Sequence, residues 1–394
     1  MYDVVVIGGG PVGSYVAYQL AGAGHKVMVL EQKQRVGGPV CCTGIIGQEC
    51  VSSFAIESSV ILRQVNSAKL FSPSGNLLRL WREETQASIL DRVAFDMAMA
   101  NRAQGEGVEY VLNSPVKNIE VEEDKVKVEV SYRKTELNLE ARAVVIATGF
   151  GSRLTEKLGL GNFGDFVIGA QAEVATAEVD EIEVYFGRKI APGFFGWLVP
   201  TSPQTARVGL LSRHSPELYL KELLASLLAQ GKIVSTEAKL SCGGIPLKPL
   251  GRTFSERLIV VGDAAGQVKP TSGGGIYYGL LCADIAANTL HQALQHDDLS
   301  AKSLAKYERE WRRKLGRELK IGYWARKLFE RLSDRQIDRI FDIIKTNGID
   351  EALLKAKDLS FDWHSRAILR LLGRTVVSKA IGVIRLPSKA GKEI

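Results

Sequence analysis

No apolar run in the sequence approaches the ~20 residues needed to cross a bilayer, so any membrane contact is expected to be peripheral. The first apolar run, Val4 to Ile7, is short and ends in glycines. No charged n-region with an apolar h-region accompanies it, so it does not read as an export signal, and a cytoplasmic chain is expected. Cysteine is scarce. Cys41, Cys42, Cys50, Cys242 and Cys282 lack CxxC spacing, so no metal site is expected, and their odd number argues against a secreted disulfide framework. Repeats and low-complexity segments are also missing.

What is present is an ordinary soluble composition, 45% hydrophobic and 24% charged. At 394 residues the chain exceeds the size at which one core usually keeps growing, which predicts two lobes and an accessory piece. The 39 glycines exceed the usual ~7% and cluster in runs, as where backbone approaches a ligand closely. A formal charge of +7 favours anionic partners without choosing among them, and solvated surface Lys and Arg are the simpler and favoured explanation. No nucleic-acid partner is expected.

Tyr2 to Ile7 reads as a buried parallel strand, Pro11 to Ala23 as a helix and Lys26 to Leu30 as a second strand, a βαβ opening that predicts a doubly wound sheet. Alternating runs between Val108 and Ala141 predict antiparallel strands, and Ala143 to Ala147 a returning core strand. From about Asp165 to Pro249 longer strands surround one helix, Glu217 to Ala229. Arg257 to Val261 supplies another buried strand and Gly275 to Leu294 a long helix. After Lys302 the pattern is helical and basic, with Trp311, Leu315, Leu319 and Tyr323 at helical spacing.

Two glycine blocks carry the chemistry. In Gly8-Gly9-Gly10-Pro11-Val12-Gly13, Gly8 permits the tight turn, Gly10 lets backbone reach a pyrophosphate and Gly13 lets helix and strand pack closely. Glu31, ending the next strand, suits ribose hydroxyls. The second block runs from Gly262-Asp263-Ala264-Ala265-Gly266 through Pro270 to Gly273-Gly274-Gly275-Ile276, again between strand and helix. Asp263 could accept hydrogen bonds from a ribityl chain, while the glycines and the helix dipole meet the flavin's pyrimidine edge. The pair therefore indicates FAD rather than NAD. A turn-capping role for Asp263 is the bland alternative.

With Arg92 in Leu90-Asp91-Arg92-Val93-Ala94-Phe95-Asp96 between them, the blocks resemble the flavoprotein superfamily of aromatic hydroxylases and geranylgeranyl reductases over about residues 1–300. Gly38-Pro39-Val40-Cys41-Cys42-Thr43-Gly44 and Pro192-Gly193-Phe194-Phe195-Gly196-Trp197-Leu198-Val199-Pro200 look like the geranylgeranyl reductase branch. The resemblance implies FAD contacts by Val12, Glu31, Cys42, Thr43, Arg92, Val116, Asp263, Gly275 and Ile276. It also implies a lipid site walled by Phe195 and Trp197, with Cys42 near the isoalloxazine. Phe195 stands where the family has Tyr, and Val199 where it has Phe. Thr148 replaces an acidic residue of the related hydroxylases, which puts direct NADPH use in doubt. From the residues alone, Cys42 could be a buried small hydrophobe and Arg92 an exposed helix cation.

The expected fold is α/β, a Rossmann-like FAD-binding domain (1–65, 84–164 and 250–300) with a β-sheet substrate domain (66–83 and 165–249) and a helical C-terminal region (301–394). The expected activity is FAD-dependent saturation of prenyl double bonds on a lipid, diphosphate or quinone, with Cys42 the candidate proton donor and NADPH, ferredoxin or deazaflavin the candidate electron donor. Alternatives are an aromatic monooxygenase or halogenase, and a prenyl-lipid carrier without turnover. Ile321 to Ile344 and Ile368 to Ile384 mix apolar and basic residues as interfacial helices do, or as helices packed on the substrate lobe do.

Overall fold

The computed structural model describes residues 1–38, 41–132, 135–177, 179–346 and 360–373. β1 (Tyr2–Ile7), α1 (Pro11–Gly22) and β2 (Val27–Leu30) form the parallel opening, with Val4 paired to Val27 and Ile7 to Leu30. A small sheet follows from β3 (Ile45–Gly47), β4 (Ile61–Val65) and β7 (Ala87–Leu90), flanked by the short α2 (Gln48–Ser53). Between β4 and β7 a hairpin of β5 (Ser67–Phe71) and β6 (Leu77–Trp81) leaves to join a different sheet. α3 (Arg92–Gly105) starts at Asp91, whose carboxylate accepts hydrogen bonds from the Val93 and Ala94 amides, and leads to β8 (Glu109–Val111).

β9 (Val116–Val121), β10 (Val126–Tyr132) and β11 (Thr135–Ile146) make an antiparallel meander. The antiparallel strands and the returning core strand expected as separate pieces are joined in β11, because Asn138 to Ala143 contains no Gly or Pro to break it. Its first half pairs with β10, and its second half lies parallel to β1, Ile7 opposite Ile146. The large sheet runs β8, β2, β1, β11, then β18 (Leu258–Val260) and β17 (Phe254–Ser255).

The doubly wound expectation is corrected here. Val4 and Val6 of β1 pack with α1, α3 and the long α6 (Ile276–Gln295), whereas Val5 and Ile7 face Ile119, Val126, Val128 and Val130 of the meander. One face therefore carries helices and the other carries strands, since the chain after β8 is rich in alternating Val and turns back on itself before any crossover helix.

A seven-stranded sheet runs β16 (Ser241–Pro246), β12 (Phe166–Ala175), β15 (Thr205–Ser212), β14 (Phe195–Pro200), β13 (Ile182–Phe186), β5 and β6. α5 (Pro216–Ala229) packs Leu220, Leu223, Leu224 and Leu227 on one of its faces, against Leu198, Val208 and Leu210. α7 (Ala301–Phe329) buries Leu304, Tyr307, Trp311, Leu315 and Leu319 beside α6. Within that core Tyr307 donates to the Val260 carbonyl and Trp311 Nε1 to Thr253 Oγ1. Tyr323, at the edge of that stripe, instead donates to Asp165. The short α4 (Leu154–Lys157), α8 (Asp334–Thr346) and α9 (Ser365–Gly373) complete the described helices.

α8 turns Ile337, Phe341 and Ile344 onto Leu78 and Leu80 of the β5–β6 hairpin, so the apolar face in the second half of Ile321 to Ile344 is packed against protein. The Ile368 to Ile384 segment lies outside the described residues from 374 onward. Among the described residues no helix is long and apolar enough to cross a membrane.

Candidate active site

The C-terminal ends of β1 and β2, the N-termini of α1 and α6 and the α5-free face of the seven-stranded sheet enclose one cavity of ≈ 1110 Å³. Gly8 turns the chain there with φ +111°, and a Cβ on it would lie 2.3 Å from the Ala147 carbonyl oxygen. A Cβ on Gly13 would lie 2.1 Å from the Gly8 oxygen, so Gly13 stands behind the cavity and sets the strand-to-helix packing. Gly10 faces open space in the cavity and is the N-cap of α1, with no side-chain cap. Gly275 holds the same place for α6, also without a side-chain cap. Two helices thus aim unfilled amide groups and positive dipole ends into one space.

Glu31, nearly buried, bridges the Gly9 amide (2.8 Å) and the Lys33 amide (2.9 Å), which orients its carboxylate while leaving lone pairs for further donors. Asp263 lies across the cavity, and burial pushes its carboxyl up to about 6, with Arg92 pulling it the other way. Arg92 forms a two-pronged ion pair with Asp96, 3.1 Å at each prong. Burial works against the Arg92 charge, but the Cys42 sulfur and the Asp96 carboxylate more than offset it and hold the guanidinium firmly protonated. Arg92 is therefore no exposed cation, and much of its charge is already balanced.

The loop bearing Cys42 is braced by the seven-stranded sheet. Cys41 Sγ donates to the Ser241 carbonyl (3.3 Å), Gln171 Nε2 to the Cys42 carbonyl (3.4 Å) and Arg207 to the Thr43 carbonyl (2.8 Å). Thr43 spends its hydroxyl proton on Gln171 Oε1 (2.9 Å). Val12 packs against Gly262 and Gly279, locking α1 to the second glycine block, while Val116, Gly274 and Ile276 line the wall.

These residues fit FAD. The uncapped α1 terminus over open Gly10 suits a pyrophosphate, the oriented Glu31 carboxylate a ribose, and the half-buried Asp263 carboxylate, pushed up by desolvation, suits hydrogen-bond donors such as ribityl hydroxyls. The uncapped α6 terminus suits the polar edge of a flavin.

Beyond them the cavity turns apolar. Alternation along β14 sends Phe195, Trp197 and Val199 to this side and Leu198 to the α5 core. Val199 thus joins the two wall residues expected from the sequence. β13 adds Ile182, Val184 and Phe186, and α7 adds Ala325, Arg326 and Phe329. The period-two pattern Ile182, Val184, Phe186 was the available signal for β13; the α7 residues had none, because helical spacing does not say what a face meets.

The described C-terminal residues also reach the site. Phe361, His364 and Ile368 line the cavity, and Asp362, almost fully buried, pairs with Lys269 Nζ at 2.8 Å. His364 Nδ1 lies 2.6 Å from Thr271 Oγ1, and burial, together with the Lys269 charge, pulls its imidazole down to about 4. It is therefore neutral at physiological pH.

Residues 2–182 match the pyridine nucleotide-disulphide oxidoreductase family model. A digeranylgeranylglycerophospholipid reductase of Methanocaldococcus jannaschii is 32% identical over 365 residues, covering 89% of this chain and 93% of that protein. The crystal structure of a geranylgeranyl bacteriochlorophyll reductase-like protein from Thermoplasma acidophilum superposes with a TM-score of 0.85 at 25% identity, covering 97% of this chain and 98% of that one. A flavin-dependent brominase shares the fold, with a TM-score of 0.68 at 16% identity and 98% of each chain covered.

Proposed function

The chain belongs to the geranylgeranyl reductase family of FAD-dependent oxidoreductases, and from that premise we propose that it saturates the prenyl chains of a digeranylgeranylglycerophospholipid. The observation that carries this reading is the continuity of the cavity from a flavin-type cradle to an apolar chamber of Phe186, Phe195, Trp197, Val199 and Phe329. Such a chamber suits a long hydrocarbon. The halogenase alternative rests on fold alone.

Gly8, Gly10, Val12, Glu31, Thr43, Arg92, Val116, Gly262, Asp263, Gly274, Gly275 and Ile276 would hold FAD, which in its reduced form would supply the hydride that an isolated alkene needs. The protein's part is positioning and protonation. Phe195, Trp197 and Val199 hold the chain in register and exclude water, so that proximity replaces the polarisation an isolated alkene lacks. Cys42 Sγ delivers the proton to the second carbon, and the charged Arg92 beside it balances the thiolate left behind. Residues 1–65, 84–164 and 250–300 act as the cofactor body and 66–83 with 165–249 as the substrate body, a division supported by the departure of β5 and β6 into the second sheet. Contact with a membrane surface is peripheral and includes Trp324, exposed next to cavity-lining Ala325. The electron donor is one of the three classes named above, and anaerobic mixing with each identifies it.

Holoenzyme reduced with dithionite under anaerobic conditions should convert the lipid in two-hydrogen steps visible by mass spectrometry. Cys42→Ala should lower kcat about 10²-fold with FAD content unchanged. A wild-type protein that binds the lipid yet stays reduced, with no saturated product, overturns the reductase reading.

A further inference from the structure

Arg326 is a cation the cofactor reading does not use. It lies on α7, only 5% exposed, among the residues lining the apolar end of the cavity. Its guanidinium lies 4.1 Å from the ring centre of Phe194 and 4.9 Å from that of Phe329. Among the described residues, its buried Nε and Nη2 have no hydrogen-bond partner. The nearest carboxylate oxygen is Glu330 Oε1, 3.9 Å from Nε. That oxygen is already engaged by Arg213 at 2.8 Å, and Lys327 lies 3.7 Å from the other. Asp165 is likewise shared between Arg213 and Lys327. Three cations, Arg213, Lys327 and Arg326, thus face two carboxylates, Asp165 and Glu330, and Arg326 is the one left over.

A buried guanidinium with unspent donors is costly, and stacking on two phenylalanines recovers only part of what hydration supplied. Burial accordingly pulls its pKa down to about 10, with Glu330 raising it and Arg213 lowering it, yet it remains charged at neutral pH. The missing partner is an acceptor carrying negative charge, and the planar fork matches a phosphate oxygen pair.

We propose that Arg326 is the anchor for a phosphate ester on the prenyl substrate, seating the anionic end of the molecule in the cavity while the chain lies along Phe195 and Trp197. This rests on the prenyl-reductase reading for the identity of the chain. Fixing one end also fixes which double bonds reach the cofactor.

The test separates binding from turnover. FAD-loaded protein is titrated in detergent with a fully saturated prenyl monophosphate and with the matching alcohol, following tryptophan fluorescence. Wild type should bind the phosphate about 10- to 100-fold more tightly, the range of a charged, two-pronged hydrogen bond. Arg326→Met should abolish that ratio. If the Met variant loses its flavin, Arg326→Gln, which keeps a polar side chain without charge, serves instead. Equal binding of phosphate and alcohol by wild type, or a ratio that survives the substitution, overturns the proposal. A saturated prenyl diphosphate and a saturated diether glycerol phosphate then identify which phosphate ester seats best. Because these ligands have no double bonds, failure here leaves the reductase reading standing, and failure of turnover leaves this result interpretable.

Discussion

Asp263 is the side chain whose proposed contact with a ribityl chain has the clearest consequence for pH dependence. Its folded pKa of about 6 stands above the ordinary value of 3.8, so the folded chain binds more protons than the unfolded one between those values. Without cofactor its contribution to stability is therefore present at low pH and lost as pH rises through about 6. Ribityl hydroxyls donating to the carboxylate, as proposed, would reverse this preference. FAD affinity should rise with pH by up to about tenfold per unit below 6 and level off above it. Asp263→Asn should flatten that profile, and a fluorescence titration of apoprotein at several pH values reads it. A wild-type profile flat from pH 5 to 7 removes the assigned role. The place of Asp263 in the cavity wall was legible because the Gly-Asp pair lies between a strand and a glycine run that opens a helix. Arg326 was not, because an arginine on a basic helix looks like any solvated cation until its unspent donors are found inside a cavity.

Among the elements, the β1–α1 turn is the most sharply constrained. The Cβ of Gly13→Ala would meet the Gly8 oxygen at 2.1 Å and Ala147 Cβ at 3.1 Å, so α1 must move away from the sheet. We expect a loss of about 1–3 kcal/mol in urea unfolding, the usual range for overpacking, and a protein purified with little FAD. Retention of full flavin content at unchanged stability would contradict this. β1, α1 and β2 were readable because burial on both faces writes a continuous apolar run and the turn demands glycine. The meander on the far side of the sheet was readable as strands but not as a layer. Val126, Val128 and Val130 announce one buried face without naming the surface that covers it, which is Val5, Ile7 and their neighbours.

At the scale of the whole molecule, the ion pair between Lys269 and Asp362 ties the second glycine block to residues near the C-terminus, 93 positions away. Both side chains are nearly inaccessible. Lys269→Met leaves a buried carboxylate without its counter-charge and should cost about 3–5 kcal/mol, measured by urea unfolding. It should also free Phe361 and His364 from the cavity wall, exposing bound flavin to iodide quenching. A variant as stable as wild type would show that the pair is not a structural tie.

Local chemistry, carried in the chain order itself, was enough for the cofactor, through glycines where backbone must turn or approach a ligand and Glu31 and Asp263 after their strands, while alternation along β14 marked the apolar wall. Those signals survive in one dimension because each depends on a few neighbouring residues. The closure of the apolar chamber by α7, the buried strap at Asp362 and the unspent guanidinium of Arg326 needed folding to become visible. Each is a meeting of segments far apart in the chain, and whether a charge is a solvated ornament or a binding group depends on which surfaces remove it from water.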